Sequence, residues 1–469
     1  METIAAIATP PGQGAIALIR LSGPEAFAVA GRVFSLNQKA LNPKNLPPRA
    51  IPLGQPLELR PRSQHFGCLM DGTSVVDEVL LTPFRAPASF TGEDVVEIAC
   101  HGGSLVTRRI LELLLRSGAT AASPGEFSRR AYLNGKLDLT QAEAIMDLIG
   151  AQSDLALKAA ARQLEGRLGE RIRGVNGAIL DVLAHLEAYI DFPEEDIAPD
   201  TGAPMVARLQ GVMVILEQLL ATAQQGRVLR AGVRTVLSGA PNVGKSSLLN
   251  RFLGFERAIV SPLPGTTRDT LEEVVMVRGW PLRLVDTAGL RDGADVVELE
   301  GIARARRQLE QADLILHLFD VTLPPPASLP DSGKAAILVL NKSDLPEHPG
   351  WQEIEAVREA VRISCLPATG LAEETGLTAL EAAIDARLTS GLGLSDADNE
   401  VAINARHHDC LRRCLDFLKA AEVALITPLP PEFVAEELRA ALDAAGEVVG
   451  RAHSEDLLGR IFSAFCIGK

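Results

Sequence analysis

The sequence predicts a multi-domain chain that combines α/β and all-α parts, with one α/β module inserted into a helical domain. Three observations lead to this prediction: β-like runs with Gly/Pro turns come first, long helical stripes follow, and a second α/β segment separates those stripes from further helices. We expect an N-terminal α/β domain at 1–118, a helical domain formed by 119–228 and 393–469, and the inserted α/β domain at 229–392. Two separate helical domains are the alternative.

Apolar periodicity places the individual elements. In the N-terminal part, strands are predicted at Ile16–Ile19, Val75–Val76, Val79–Leu81 and Val95–Ile98, and a helix at Ser104–Leu115. In the helical part, apolar residues recur at spacings of three and four from Leu164 to Ile190, which predicts one unbroken amphipathic helix ending before Pro193. Further helices are expected at about 205–226, 432–449 and 453–465.

Composition narrows the class of protein. The 469 residues carry 46 Lys and Arg against 60 Asp and Glu, a net charge of −14. Such a chain is a poor indiscriminate binder of phosphate backbones, so any RNA is handled through a local patch or a partner. Six scattered cysteines indicate a reducing cytoplasm. No apolar stretch approaches the ~20 residues of a membrane span, and the N-terminus lacks the features of a secretion signal. We expect a cytoplasmic protein.

A phosphate-binding loop is the first motif that carries chemistry. Gly239-Ala-Pro-Asn-Val-Gly-Lys-Ser246 follows a strand-like run and precedes a helix-like one, as the G-x-x-x-x-G-K-S loop requires. Its glycines let backbone N–H groups surround phosphates, Lys245 reaches the β and γ oxygens, and the Ser246 hydroxyl faces Mg²⁺. A solitary match would also fit an ordinary Gly-rich turn.

Three companion motifs exclude that simpler interpretation. Asp286-Thr-Ala-Gly289 ends an apolar strand, where the aspartate reaches the Mg²⁺ shell and Gly289 can donate to the γ-phosphate. Asn341-Lys-Ser-Asp344 selects guanine, because a buried carboxylate would be left unpaired against adenine. Thr266-Thr267 lies in a loop that can close over the γ-phosphate. The nucleotide is therefore predicted to be GTP.

The residue after Gly289 raises a question about hydrolysis. Many GTPases place there a glutamine that orients the attacking water, but this chain has Leu290. Asn242 in the phosphate loop suggests one answer, a monovalent cation held by its amide oxygen. A loop-stabilising amide is the other interpretation.

Two further groups of residues resemble functional sites. His407, Cys410 and Cys414 share one helix face, but three ligands on one helix rarely close a tetrahedral metal site, so we expect core packing. Cys466-Ile-Gly-Lys469 is a poor prenylation box. Because Ile461–Phe465 is too apolar to remain in water, we expect this tail to dock and to hold Cys466 and Lys469 in a fixed place.

Besides the nucleotide motifs, the chain carries a set of N-terminal, helical and C-terminal segments: Ala8-Thr-Pro-Pro-Gly-Gln-Gly14, Phe90-Thr-Gly-Glu-Asp-Val-Val-Glu97, His101-Gly-Gly103, Pro124-Gly-Glu-Phe-Ser128, Asn134-Gly-Lys-Leu-Asp-Leu139, Ala142-Glu-Ala-Ile145, Ile190-Asp-Phe-Pro193 and Asp456–Ser463 with Phe465-Cys-Ile-Gly-Lys469. Through these segments the whole chain resembles the MnmE (TrmE) family of GTPases that modify the wobble uridine of tRNA.

The resemblance implies an N-terminal tetrahydrofolate-binding and dimerisation domain, a helical domain split by a Ras-like G domain, and K⁺-dependent GTP hydrolysis in a homodimer. It also implies an FAD-dependent partner of the MnmG/GidA type, in a heterotetramer or larger assembly. Together they add an aminomethyl or carboxymethylaminomethyl group at C5 of the wobble uridine, from a 5-formyl- or methylene-tetrahydrofolate unit. The implied cofactors are GTP, Mg²⁺, K⁺ and the folate.

The resemblance also assigns residues. By this resemblance, Ser246 and Thr267 bind Mg²⁺, and Glu298 orients the catalytic water. The K⁺ ligands are Asn242, Ser261, Leu263 and Thr266. The nucleotide set is Asn242, Val243, Gly244, Lys245, Ser246, Ser247, Ser261, Pro262, Leu263, Pro264, Gly265, Thr266, Thr267, Asp286, Thr287, Ala288, Gly289, Asn341, Lys342, Asp344, Ser364, Cys365 and Leu366. The folate set is Arg20, Glu97, Lys136 and Lys469. Cys466 matches the family's C-terminal cysteine and is a catalytic candidate, with nucleophile, proton donor and positioning residue as the open alternatives.

This chain departs from the family in two places. Ser364-Cys365-Leu366 replaces the usual S-A-K or S-A-R base-binding segment, so side-chain packing on the base differs. Pro262 and Pro264 lie in the K⁺ loop and supply no N–H. A GTP-regulated ribosome or RNA assembly factor is the alternative function, and it would need neither a folate pocket nor a docked tail.

Overall fold

The chain forms two compact units. The computed structural model describes residues 2–36, 59–191, 203–255, 273–286, 307–329, 335–366, 376–391, 402–427, 429–451 and 455–469. The first unit comprises Met1–Met146, Gly169–Asn176 and Leu442–Lys469, and the second comprises Asp147–Leu168 and Gly177–Ala441. The exact domain boundaries expected at residues 118, 228 and 392 remain predictions.

The first unit contains a mixed sheet of seven strands in the order β3-β4-β5-β6-β2-β1-β7. All neighbours are antiparallel except β1 and β7. The strands are β1 (Ile4–Ile7), β2 (Ile16–Ser22), β3 (Phe34–Leu36), β4 (His65–Asp71), β5 (Ser74–Phe84), β6 (Val95–His101) and β7 (Thr120–Ala121). Helices α1 (Ala26–Val33) and α2 (Ser104–Arg116) accompany them. The predicted strand runs and the predicted helix are confirmed, and α1 was not predicted.

Alternation along β1 divides this sheet into two faces. Ala5 packs in the cluster that includes α1 and α2, whereas Ile4 and Ala6 pack with Phe127 and Phe90. Successive side chains of a strand point to opposite faces, which accounts for the division. The second face therefore carries the side chains of Phe127 and Phe90 against β1.

In the described residues between the first sheet and the second, six helices follow. They are α3 (Glu126–Leu133), α4 (Leu139–Gly150), α5 (Asp154–Leu164), α6 (Arg167–Asp191), α7 (Ala203–Ala221) and α8 (Ala223–Ala231). The prediction of an unbroken helix from Leu164 was wrong, because the chain breaks at Gly166, whose φ is +90°. The apolar stripe itself is buried along α6, through Leu168, Ile172, Val175, Ile179 and Leu183.

The second unit contains a six-stranded sheet in the order β13-β12-β11-β8-β10-β9. All neighbours are parallel except β9 and β10. The strands are β8 (Val233–Ser238), β9 (Glu273–Val277), β10 (Trp280–Asp286), β11 (Leu314–Asp320), β12 (Ala336–Asn341) and β13 (Val361–Arg362), with helices α9 (Lys245–Phe255) and α10 (Leu377–Gly391) and 3₁₀ turns at Pro349–Trp351 and Glu355–Glu359. Numbered within this domain the order is 6-5-4-1-3-2, that of a Ras-like nucleotide-binding sheet.

Helices from before and after this sheet pack together. The last three helices are α11 (Ala405–Ile426), α12 (Pro431–Val449) and α13 (Glu455–Ser463). The Gln210 amide on α7 donates to Glu422 on α11 at 2.7 Å, and Arg439 on α12 pairs with Glu187 on α6 at 2.6 Å. The prediction of one discontinuous helical domain, with an α/β domain inserted in it, is therefore confirmed.

The His407, Cys410 and Cys414 face belongs to the core. All three side chains are buried, and His407 forms a capping box with Asn404 at the start of α11. Burial raises the pKa of the Cys414 thiol to about 12, so the thiol stays protonated at neutral pH. Within the ranges that the structure describes, no group of three or more metal-ligating side chains occurs. All six cysteines are free thiols.

Among the residues that the structure describes, one stretch, Ala203–Ala231, is long and apolar enough to cross a membrane by length and composition. This single stretch departs from the expectation that no segment approaches span length. It is weak support for a membrane segment, because the core helix of a globular protein passes the same test. Met205, Leu209, Val212 and Leu216 form a buried stripe on α7, as such a core helix requires.

Arg230 on α8 joins the two chain connections of the inserted domain. Its guanidinium pairs with Asp147 at 2.8 Å and donates to the Ala402 and Ile403 carbonyls at 3.3 and 3.4 Å. Val233 begins the inserted sheet two residues after α8, and Ile403 lies just before α11. Arg230 on α8 therefore links the connection that enters the inserted domain to the connection that leaves it.

We predict a measurable coupling between Arg230 and Asp147. Both side chains are about three-quarters buried, so an unpaired partner loses solvation, and a double-mutant cycle with Arg230→Met and Asp147→Asn should give about 1–2 kcal/mol in urea unfolding. The exposed Arg412–Asp416 pair, 3.5 Å apart, is the control and should give about 0.5 kcal/mol or less. Equal coupling in the two cycles would contradict a structural function for Arg230.

Candidate functional site

The phosphate loop lies between β8 and α9, as predicted. The backbone of Gly239 has φ +154°, and a Cβ atom there would lie 2.4 Å from the Leu318 carbonyl oxygen. At Gly244, with φ +103°, a Cβ atom would lie 2.1 Å from Asn341 Nδ2. The loop can therefore follow this path only with glycine at both positions, which leaves backbone N–H groups at the start of α9 available to an anion.

Two side chains hold the loop in shape. Lys245 Nζ donates to the Gly239 and Ala240 carbonyls at 2.8 and 2.9 Å. Asn341 Nδ2 donates to the Val243 carbonyl at 2.7 Å and is almost fully buried. The N-K-S-D motif, about a hundred residues away in sequence, is thereby joined to the phosphate loop.

The lysine of that motif is held by a buried aspartate. Lys342 Nζ lies 2.5 Å from Asp320 Oδ2, and Thr322 donates to Oδ1 of the same carboxylate at 2.6 Å. Burial alone would raise the pKa of Asp320, but the hydrogen bonds from Lys342 and Thr322 and the charge of Lys342 lower it. Asp320 thus stays ionised and fixes Lys342, while Asp344 is exposed and able to meet a base.

The segment Ser364-Cys365-Leu366 lies beside the same motif. The Ser343 amide donates to the Ile363 carbonyl at 3.0 Å, which places the two loops side by side. Burial raises the pKa of the Cys365 thiol to about 11, so this unusual residue of the base-binding segment is a neutral side chain. Arg251 donates to the Leu366 carbonyl at 3.0 Å and anchors the end of the segment.

Several predicted residues fall outside the described part of the chain. These are Ser261, Pro262, Leu263, Pro264, Gly265, Thr266, Thr267, Thr287, Ala288, Gly289 and Glu298. The backbone of Asp286, at the end of β10, pairs with that of Leu237 on β8. Since Leu237 lies two residues before Gly239, Asp286 ends its strand next to the start of the phosphate loop. Asn242, with φ +63°, and Ser246 are exposed on the phosphate loop and at the start of α9. Ser247 is likewise exposed.

In the first unit, Arg20 and Glu97 are brought into direct contact. They are cross-strand neighbours on β2 and β6, and Arg20 Nε and Nη2 donate to Glu97 Oε1 at 2.9 and 2.7 Å. Because both bonds end on one oxygen, Oε2 remains able to accept from a ligand. The side chains are 15% and 25% exposed, so the pair lies in a recess that solvent still reaches.

Two aromatic residues that the sequence analysis did not single out flank this pair. The Arg20 guanidinium carbon lies 5.2 Å from the Phe90 ring centroid and 5.7 Å from that of Phe127. Both distances are within the range of cation–π attraction. Phe90 and Phe127 lie in two segments of the family resemblance, Phe90–Glu97 and Pro124–Ser128. Their contact with Arg20 becomes visible only in the folded structure.

The tail docks on the same unit. Phe462 and Phe465 are buried in a cluster with Leu139 and Ala142. The Phe127 amide donates to the Lys469 carbonyl at 3.2 Å, and the Gly125 amide donates to the Cys466 carbonyl at 3.4 Å. The expectation of a docked tail is confirmed. The tail brings the Lys469 backbone to Phe127, whose ring lies beside Arg20. Cys466 is exposed.

Lys136 lies next to this group but does not contact Glu97. Its Nζ donates to the Pro87 carbonyl at 3.1 Å, in the loop that leads to Phe90. Its side chain also lines a cavity of about 480 Å³ together with Tyr132, Asp138 and Arg173. The folate-binding function of Lys136 stays a prediction.

A six-stranded Ras-like sheet, a glycine-constrained phosphate loop and an N-K-S-D motif bonded to that loop define a P-loop GTP-binding domain. Two sequence models cover most of the chain: "GTP-binding protein TrmE N-terminus" matches residues 3–136 and "MnmE helical domain" matches residues 139–466. The chain belongs to the MnmE (TrmE) family of tRNA modification GTPases.

Curated relatives agree along the full length. Proteins named "tRNA modification GTPase MnmE" are 47% identical in Akkermansia muciniphila, over 100% of this chain and 99% of the relative, and 43% identical in Listeria welshimeri, over the same shares. Among solved structures, the G domain of the T. maritima FeoB iron transporter is 25% identical, covering 33% of this chain and 98% of that chain, at a TM-score of 0.22. A score this low carries no inference about the fold.

We predict that Gly239→Ala weakens binding of a fluorescent GTP analogue by about tenfold or more. A methyl group would strike the Leu318 carbonyl and distort the loop, a penalty of about 1–3 kcal/mol. Gly254→Ala, on the same strand–loop–helix segment but with open space around the added carbon, is the matched control and should bind normally. Normal binding by both variants would show that the loop tolerates a different path.

Proposed function

We propose that this chain is a K⁺-dependent GTP hydrolase that drives a tRNA-modifying complex. The observation that carries the proposal is the hydrogen bond from Asn341 to the Val243 carbonyl, which joins the guanine-selecting motif to the phosphate loop in one rigid site. Asp344 is exposed beside it, so its carboxylate can accept both N–H donors of a guanine edge. Adenine would leave that carboxylate unpaired.

The residues of the phosphate loop fit Mg²⁺ and a monovalent cation. Ser246 places a hydroxyl at the start of α9, where Mg²⁺ bound to phosphates needs an oxygen ligand, and Thr267 is proposed as its second ligand. Asn242 presents an exposed amide on the loop, and with Ser261, Leu263 and Thr266 it would hold K⁺. Such a cation supplies positive charge near the transferring phosphoryl group, which the apolar Leu290 cannot do.

The first unit is proposed to bind a reduced folate, 5-formyl- or methylene-tetrahydrofolate. Glu97 Oε2 can accept from the amino and ring N–H groups of a pterin, while Arg20 holds the carboxylate in the required orientation. Lys136 and Lys469 would face the acidic end of the folate. A bound folate would supply a one-carbon unit, and Cys466 is exposed on the docked tail, in the same C-terminal segment as Lys469.

The proposed product is a C5 aminomethyl or carboxymethylaminomethyl group on the wobble uridine of certain tRNAs. The names of the full-length relatives support tRNA modification. We also propose that this chain forms a homodimer, which assembles with an FAD-dependent partner into a heterotetramer or larger complex. The proposed location is the cytoplasm. With a net charge of −14, the chain depends on a local patch or on that partner to hold tRNA.

The proposal is tested by GTP turnover in K⁺ and in Na⁺ at equal ionic strength. We expect at least about tenfold faster hydrolysis in K⁺ for the wild type, and loss of this difference in Asn242→Ala. Asn250→Ala, an exposed asparagine of α9, is the matched control and should keep the K⁺ effect. Equal wild-type rates in both salts would favour an assembly factor activated by an external protein.

Glu298 is proposed to orient the attacking water. Glu298→Ala should lower kcat by about tenfold or more with GTP affinity unchanged, because the interaction acts in the transition state. Glu300→Ala is the neighbouring control and should turn over normally. Unchanged turnover in Glu298→Ala would remove this residue from the catalytic set.

A further inference from the structure

The C-terminal tail meets the first sheet at a point with no room for a side chain. Gly468 has φ +95°, and a Cβ atom there would lie 2.5 Å from the Ile7 carbonyl oxygen and 2.8 Å from Ala8 Cα. At Gly125, φ is +67° and a Cβ atom would lie 2.5 Å from the Phe462 carbonyl oxygen. At both ends of the docked segment Phe462–Gly468, two backbones are therefore in direct contact. These contacts fix which tail residue lies opposite which residue of the first unit.

This contact lies next to Arg20. Ala6 is the cross-strand neighbour of Arg20, and Ile7 and Ala8 follow it directly along the chain. The Ala8 amide donates to the Leu18 carbonyl at 2.7 Å, which holds the end of β1 against β2. The tail backbone therefore lies against the end of β1, one and two residues beyond the cross-strand neighbour of Arg20.

Phe127 contacts both the tail and Arg20. Its backbone amide donates to the Lys469 carbonyl, and its ring lies 5.7 Å from the Arg20 guanidinium carbon. The residue is fully buried, so both contacts are made inside the packed core of the unit. Phe90 covers the guanidinium at 5.2 Å and completes an aromatic clamp around it.

We propose that Phe127 and Gly468 are positioning residues for the Arg20–Glu97 site. Gly468 fixes the register of the tail, so that Lys469 reaches the Phe127 amide, and the Phe127 ring holds Arg20 against Glu97. A pterin-bearing acidic ligand then meets Glu97, Arg20 and Lys469 in one arrangement, and it loses that arrangement when the tail is displaced. This inference rests on the proposed folate site.

Two variants separate the two contacts. Gly468→Ala should displace the tail, whereas Phe127→Leu keeps the backbone amide that binds Lys469 but removes the ring that holds Arg20. The controls are Gly72→Ala, with φ +62° and open space around the added carbon, and Phe34→Leu, a fully buried phenylalanine of β3. These controls carry the same chemical changes and the same backbone strain or core loss away from the site.

Hydrogen exchange of the full chain reads the tail directly. In Gly468→Ala, the amides of Gly125, Phe127 and Lys469 should exchange at least about tenfold faster, while Phe127→Leu and both controls should match the wild type. Titration with 5-formyltetrahydrofolate reads the ligand site. Both Gly468→Ala and Phe127→Leu should bind about tenfold more weakly or worse, and both controls normally.

Unchanged exchange in Gly468→Ala would overturn the anchoring function of that glycine. Faster exchange with unchanged ligand affinity would overturn the link between tail and site. Normal affinity in Phe127→Leu, or a loss equal to that of Phe34→Leu, would remove Phe127 from the positioning residues. If the wild type binds no 5-formyltetrahydrofolate, the proposed folate site fails, and the exchange comparison alone decides how the tail is anchored.

Discussion

A methyl group at Gly239 would lie 2.4 Å from the Leu318 carbonyl oxygen, and one at Gly468 would lie 2.5 Å from the Ile7 carbonyl oxygen. Both candidate sites depend on such places, where one backbone segment rests on another without an intervening side chain. The approach at Gly239 sets the path of the phosphate loop, and the approach at Gly468 sets the register of the tail. Binding groups that belong to distant parts of the sequence are thereby held at fixed separations.

Charge pairs fix the orientation of side chains at both candidate sites. Lys342 and Asp320 in the second unit and Arg20 and Glu97 in the first are charge pairs at the ends or centres of buried strands. Each pair satisfies groups that would be costly to bury alone, so the pairs hold one another in orientation. Arg20 and Glu97 retain limited contact with solvent, which a ligand-binding group requires.

The local features of this chain could be predicted from sequence, and the non-local ones could not. The phosphate loop is a contiguous motif between a strand and a helix, and the structure places it there. The Arg20–Glu97 contact joins residues 77 positions apart through the register of β2 and β6, which periodicity does not specify. Phe127 lies in a recognised motif, but its contact with Arg20 depends on the same register. The break at Gly166 escaped prediction because the apolar spacing continues across it.

Arg230 gives the inserted domain an unusual kind of attachment. Since Arg230 lies on the helix that leads into the inserted domain and its guanidinium donates to the end of the returning connection, the two connections are held together as a single stem. Gly226 adds to this, because a Cβ atom there would lie 2.2 Å from the Ile403 carbonyl oxygen. A domain mounted on such a stem is a cassette: another α/β domain whose ends lie equally close could occupy its place in the helical scaffold.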